Sequence, residues 1–306
     1  MPGGLRVAAR WSAVRTGGAM NEVRTADYAF GLVTLAGAGF GLNPLFARAL
    51  YAEGLSPELA VFVRFAPMSV VLLPVLPALL RQWRLALVGL AAGAAMAVGT
   101  LAYFHALTVL PVSLAALIYF TYPLFTILIG WLALGRPMTR ESTVAAALVL
   151  AACALVVSPR GLDAAQLRAV ALCFLSPLGF ALIIHALSTW LTPMPLWSRM
   201  CAGIWGHMLV LVPAMIFMAE GPFLPRGPQG WSALVGLATV AALLPQIAFS
   251  VAAPHAGPER TAIGGSAELL TSLAVGWVAL EEAVQPQAVA GATLLMAALF
   301  IARRQR

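Results

Sequence analysis

Polar residues are sparse along this chain and punctuate long apolar runs. A run such as LALVGLAAGAAMAVGTLAYF does not alternate apolar with polar positions, so it does not suit the strands of a membrane barrel, which alternate over about ten residues. Apolar helices of roughly 17–25 residues span a bilayer. The pattern predicts ten, at approximately 27 to 50, 57 to 80, 84 to 107, 112 to 134, 142 to 158, 164 to 191, 196 to 219, 230 to 253, 259 to 281 and 286 to 302.

The pattern also recurs. The stretch ALTVLPVSLAALIYFTYPLFTILIGWLALGRPMT, from Ala106, lands 146 residues later on AAPHAGPERTAIGGSAELLTSLAVGWVALEEAVQ, with Gly130-Trp131 on Gly276-Trp277 and Ala133-Leu134 on Ala279-Leu280. VGLA at Val88 to Ala91 recurs at Val235 to Ala238, and Asn43-Pro44-Leu45 aligns with Ser176-Pro177-Leu178. Because five spans per copy is an odd number, the second copy would enter the membrane from the opposite side. The expected fold is an all-α integral membrane protein, ten transmembrane helices forming two inverted five-helix repeats over 27–158 and 164–302. A cytoplasmic, disordered arm is expected over 1–26, where four Arg and several Gly but no apolar run exclude a cleavable signal peptide.

Composition agrees with a bilayer environment: 61% of residues are hydrophobic, 9% are charged, and the mean hydropathy is +0.93. All 18 basic residues are Arg, and 13 of them fall on one side if the N-terminus is cytoplasmic, so both termini are expected in the cytoplasm of a bacterial inner-membrane protein. The basic pI then reflects contact with anionic lipid, not nucleic acid. Cys153, Cys173 and Cys201 sit in apolar segments at no metal-ligand spacing and read as packing residues. There is no P-loop, no H-E-x-x-H and no paired-carboxylate motif, so no cofactor, metal or ATP hydrolysis is expected.

The candidate site residues follow from what is costly in a membrane. Pro44 in the first helix removes a donor and frees the Phe40 carbonyl, and Pro177 acts alike in the sixth, so both helices should break there with Asn43 and Ser176 beside the breaks. In the fourth, Ala115, Tyr119, Tyr122, Thr126 and Gly130 share one face. Their mates in the second copy are Thr261, Gly265, Glu268, Ser272 and Gly276. Glu268, ionisable near mid-membrane, reads as a substrate contact and candidate proton site, or else as a structural hydrogen bonder. Tyr103, Trp205, Gln246 and Ser266 complete the substrate-binding candidates, although aromatic residues also fill space and Gln246 could serve a carbonyl freed by Pro245. Arg64 reads either as a carboxylate anchor or as an arginine that snorkels or pairs with Glu58.

The pattern Tyr122-Pro123-Leu124 followed by Gly130-Trp131-x-x-Leu134-Gly135, matched by Ala267-Glu268-Leu269 and Gly276-Trp277-x-x-Leu280-Glu281, resembles EamA-type members of the drug/metabolite transporter superfamily. The resemblance spans about 27 to 302 and departs at Leu269, which stands where the first copy has Pro123. It implies a secondary transporter exporting amino acids or other small metabolites, with YddG-like aromatic amino acid exporters nearest. Its partners would be a small-molecule solute and the lipid bilayer, and a monomer is compatible with it. The competing classes are an intramembrane enzyme built on Ser266 with His207 or His255, for which no spacing speaks, and a lipid-handling protein.

Overall fold

The computed structural model describes residues 27–135, 137–156, 162–256, 261 and 264–302; the arm expected over 1–26 lies outside them. The helices in chain order are α1 (Asp27–Ala52), α2 (Pro57–Val71), α3 (Leu73–Arg81), α4 (Trp83–Val109), α5 (Val112–Ala133), α6 (Arg140–Val156), α7 (Ala164–Trp190), α8 (Leu196–Phe217), α9 (Pro228–Ala252), α10 (Ala267–Ala279) and α11 (Pro286–Ala302).

Ten full spans in two inverted repeats are not what the structure contains. Among the described residues, α1, α4, α5, α7, α8 and α9 are long and apolar enough to cross a bilayer, and α2 with α3 makes a seventh only if a pair bent by 55° counts as one span. Pro74 and Pro77 withhold backbone donors just beyond Leu72, so the stretch expected to run straight from 57 to 80 turns through a 3₁₀ segment at Leu73–Val75. The 17 described residues of α6 rise about 25 Å at 1.5 Å each, at the lower limit for a span. The α10 and α11 helices are short as well. Summed hydropathy counts such segments as spans; their length and bending decide otherwise.

Local chemistry sets the helix starts. Ser56 accepts from the Leu59 amide at 3.4 Å with Pro57 at the first helical position of α2. Asp163 and Gln166 form a reciprocal capping box at the start of α7. Two helices take their N-terminal partner from elsewhere in the chain. The Glu53 carboxylate accepts from Arg226 (2.7 Å), Gly227 (3.3 Å) and Gly230 (2.8 Å) at the start of α9, and Glu282 accepts from Val112 and, at 3.0 Å, Ser113 at the start of α5. Gly54, at φ +84°, makes the turn that ends α1 beside Glu53.

Helix α4 lies at the centre. A Cβ on Gly99 would come 2.6 Å from the Leu175 carbonyl oxygen of α7, and one on Gly179 would come 2.7 Å from the Ala95 carbonyl of α4. On its other side α4 meets α8, with Gly93 against the Gly203 backbone and Gly206 against Leu90. Phe104, Leu107 and Leu211 are fully buried between them. Leu35, Leu132, Phe217 and Val278 stand exposed at the periphery, where a bilayer would cover them.

Gly99→Ala is expected to lower stability by about 1–3 kcal/mol, because backbone cannot step aside for the added methyl. Gly31→Ala, with open space around it, should be neutral or slightly stabilising. Thermal unfolding in detergent compares the two, and equal shifts would contradict the close approach. The backbone N–H groups of Arg226, Gly227 and Gly230, helped by the Arg226 charge, hold the Glu53 carboxyl below its ordinary range. A depressed folded pKa gives stability that is present above the unfolded value, about 4.3, and lost as pH falls through the folded one. Glu53→Gln should therefore lower the melting temperature at pH 7 and flatten its acid limb; an acid limb parallel to that of the parent would refute the assignment.

Candidate functional site

The proline at position 44 does what its chemistry dictates. Helix α1 breaks at Leu42, and the Asn43 side-chain amide donates to the freed Phe40 carbonyl at 2.6 Å. The Asn43 amide oxygen is left buried without a partner. Helix α7 breaks likewise at Phe174, one turn before Pro177, and leaves Ser176 buried beside the break.

These two breaks face one small cavity of about 30 Å³. Phe40 and Asn43 come to it from α1, and Ser176 comes from α7. Met96, Thr100 and Tyr103 line it from α4, Ala116 and Tyr119 from α5, Glu268 and Ser272 from α10, and Arg64 from α2. One wall is aromatic: Tyr103 lies 5.9 Å from Tyr119, which lies 5.4 Å from Phe180, and Tyr122 stands edge-on to Phe180 at 4.9 Å.

Of the residues singled out from sequence, Asn43, Tyr103, Tyr119, Ser176 and Glu268 meet at this cavity, and Tyr122 stands behind Tyr119 at 6.1 Å. The other four do not line it. Trp205 packs between two apolar clusters, and its indole nitrogen is buried without a partner. Gln246 lies within α9, 3.4 Å from the Ser250 hydroxyl, which donates back to the Gln246 carbonyl at 2.7 Å. Gly265 and Ser266 lie at the start of α10, where the Gly265 carbonyl would meet a Cβ on Gly37 at 3.1 Å.

Arg64 is the main addition. It lines the cavity and does not pair with Glu58, whose carboxylate binds His105 at 2.8 Å instead. Its guanidinium lies 5.2 Å from the Phe65 ring and 6.0 Å from the Phe104 ring, with Nε buried and unpartnered. Sequence could offer this only as an alternative, because depth in the membrane depends on where α2 bends. Thr100 and Met96, by contrast, line the cavity from α4, where they share with Gly89, Gly93 and Tyr103 a spacing that sets all five on one helical face.

The other polar candidates are structural. The His207 ring bonds the Gly203 carbonyl at 2.8 Å and stacks on Phe65 at 4.4 Å, and the His185 ring meets the Thr126 carbonyl at 2.9 Å. Among the described residues, no three His, Cys, Asp or Glu side chains are grouped to hold a metal ion. Cys173 and Cys201 are buried free thiols and Cys153 a half-buried one.

Comparison with known proteins gives three findings. Residues 28–158, somewhat under half of the chain, match the EamA-like transporter family. No curated protein matches. A solved chain described as "Crystal structure of protein" superposes with a TM-score of 0.61 at 16% identity, covering 90% of this chain and 96% of that one, a likeness of fold alone. The chain is a multi-pass helical membrane protein whose residues 28–158 are similar to the EamA-like transporter family.

Asn43→Ala leaves the Phe40 carbonyl unpaired at the α1 break. It is expected to cost about 1–3 kcal/mol. Asn43→Asp, which keeps the size but removes the donor, should cost at least as much. Unfolding in detergent measures both, and no loss in either would show that the Asn43 contact does not support the break.

Proposed function

We propose that this protein is a secondary transporter of the bacterial inner membrane that exports small metabolites, amino acids foremost, with a preference for aromatic or hydrophobic side chains. The observation that carries this reading is Glu268, an ionisable group in a cavity enclosed by helices and walled by tyrosines. An ionisable residue in such a place marks a solute or proton path. The match over 28–158 supports transport, and the absence of a P-loop points away from ATP as the driving force.

The helices around the cavity move so that it opens to one side at a time. The interruptions of α1, α5 and α7, and the π-helical turns at Ala186–Trp190, Thr239–Leu243 and Val275–Ala279, are places where backbone pairing is already relaxed. Arg6, Arg10, Arg15 and Arg24 before α1 and Arg303, Arg304 and Arg306 after α11 support a cytoplasmic reading of both termini. Glu268 either contacts the solute directly or exchanges a proton with it.

The test is uptake of labelled tryptophan or phenylalanine into proteoliposomes holding the purified protein, against empty liposomes, with no imposed ion gradient. Saturable uptake blocked best by aromatic competitors is expected. Glu268→Gln should reduce uptake at limiting substrate by about tenfold or more, the worth of one charge-assisted hydrogen bond. Unchanged uptake and unchanged pH dependence in that variant would remove Glu268 from the scheme. Failure of every amino acid would move the reading to another class of metabolite.

A further inference from the structure

We infer that the cavity reads its solute at two opposite charges, the Arg64 guanidinium taking a carboxylate and the Glu268 carboxylate with the Asn43 amide oxygen taking an ammonium. The accepted solute is then a small zwitterion and not a lone cation or anion. This rests on the transporter reading of the same cavity and adds to it which groups select.

Arg64 from α2 and Glu268 from α10 are far apart in the chain, yet both line the one cavity. Their charges act on each other, but no ion pair joins them. That separation is unlike the treatment of other carboxylates. Glu58 closes on His105 at 2.8 Å, Glu53 takes three backbone donors, and Glu282 takes two. A pair that served only to neutralise two charges would close to contact, since attraction in a low-dielectric interior rewards it. Here both groups face one cavity instead.

The unused hydrogen-bonding capacity divides in the same way. Near the cationic pole the Arg64 Nε–H is buried without an acceptor. On the same cavity the Asn43 oxygen is buried without a donor, while its amide nitrogen is committed to the Phe40 carbonyl. The cavity lining thus holds one unsatisfied donor and one unsatisfied acceptor, the complement of a carboxylate and an ammonium on one small molecule. Tyr103 and Tyr119 stand on the same cavity and offer ring faces and edges to the remainder of the solute.

Selectivity follows from the groups left bare. A ligand with an ammonium alone leaves Arg64 desolvated and unmatched, and one with a carboxylate alone does the same to Glu268. A site built for a polar partner rejects the analogue that lacks it far more strongly than an apolar pocket rejects a change of size. Neutral solutes fail at both poles.

The experiment takes whichever labelled α-amino acid, from a panel, the wild-type protein carries best in proteoliposomes. It measures competition by that amino acid unlabelled, by its decarboxylated amine and by its deaminated acid. Both singly charged analogues are expected to compete roughly 100-fold more weakly or worse. Arg64→Gln should shrink the penalty on the amine by about tenfold or more and leave the penalty on the acid in place. Glu268→Gln should do the reverse, and Arg64→Lys should keep most of the wild-type pattern. Each ratio is taken within one variant, so a lower yield of folded protein does not alter it, and the wild-type competition decides even where a variant does not insert. Uptake of an amino acid with either analogue competing equally well overturns the two-charge site while the transporter reading stands. No uptake of any amino acid overturns both.

Discussion

Backbone-to-backbone contact between helices is the constraint on which the cavity depends. Within a bilayer, apolar side chains gain little by leaving lipid for protein, so association rests on close packing. Helix α4 meets α7 where Gly99 faces Leu175 and Ser176, and α8 where Gly93 faces Gly203. These contacts fix its rotation. Once they are made, Met96, Thr100 and Tyr103 have nowhere to face but the cavity. The same device places α10: a Cβ on Gly41 would come 2.7 Å from the Glu268 carbonyl, and one on Gly37 would come 3.3 Å from the Glu268 amide. Glycines on α1 therefore position the carboxylate of α10 through its backbone.

Polar groups inside this fold are rationed by the same physics. An unsatisfied backbone group costs several kcal/mol in hydrocarbon, so each helix interruption needs its own remedy. At Leu42 the Asn43 side chain supplies it, and at Phe120 the Thr121 hydroxyl donates to the Ile118 carbonyl at 2.7 Å. Of the buried polar atoms left without a partner, the Arg64 Nε and the Asn43 oxygen sit on the cavity wall, while Arg48, Arg199 and His185 each leave a nitrogen unpaired away from it. The Trp205 and Trp277 indole nitrogens are orphaned elsewhere, and nothing in the cavity accounts for them.

How far the sequence could be read follows from which residues decide locally and which decide through neighbours. Pro44 and Pro177 act on their own turns, so the breaks beside Asn43 and Ser176 are legible one residue at a time. Glu268 is legible because its cost in a membrane does not depend on which neighbour it meets. Trp205 and Gln246 look equally suitable by composition, but the rotation of α8 and α9 turns them away from this cavity, and glycines at the helix contacts constrain that rotation. For the same reason Arg64 stayed ambiguous. The number of spans was misjudged because hydropathy reports what a segment is made of, whereas Pro74, Pro77 and the shortness of α6, α10 and α11 determine how far it reaches.

The two carboxylates that cap foreign helices bear on how such a cavity could move. Glu53 follows α1, the helix of Asn43, and holds the start of α9; Glu282 follows α10, the helix of Glu268, and holds the start of α5, the helix of Tyr119. Each tie joins a carboxylate to several amide donors at a positive helix end, the strongest kind of contact a loop can offer. Displacing α10 therefore either carries α5 with it, keeping Glu268 and Tyr119 in register, or leaves the amides of Val112 and Ser113 without an acceptor. The first course is the less costly. Glu282 thus links the helix of Glu268 to the helix of Tyr119.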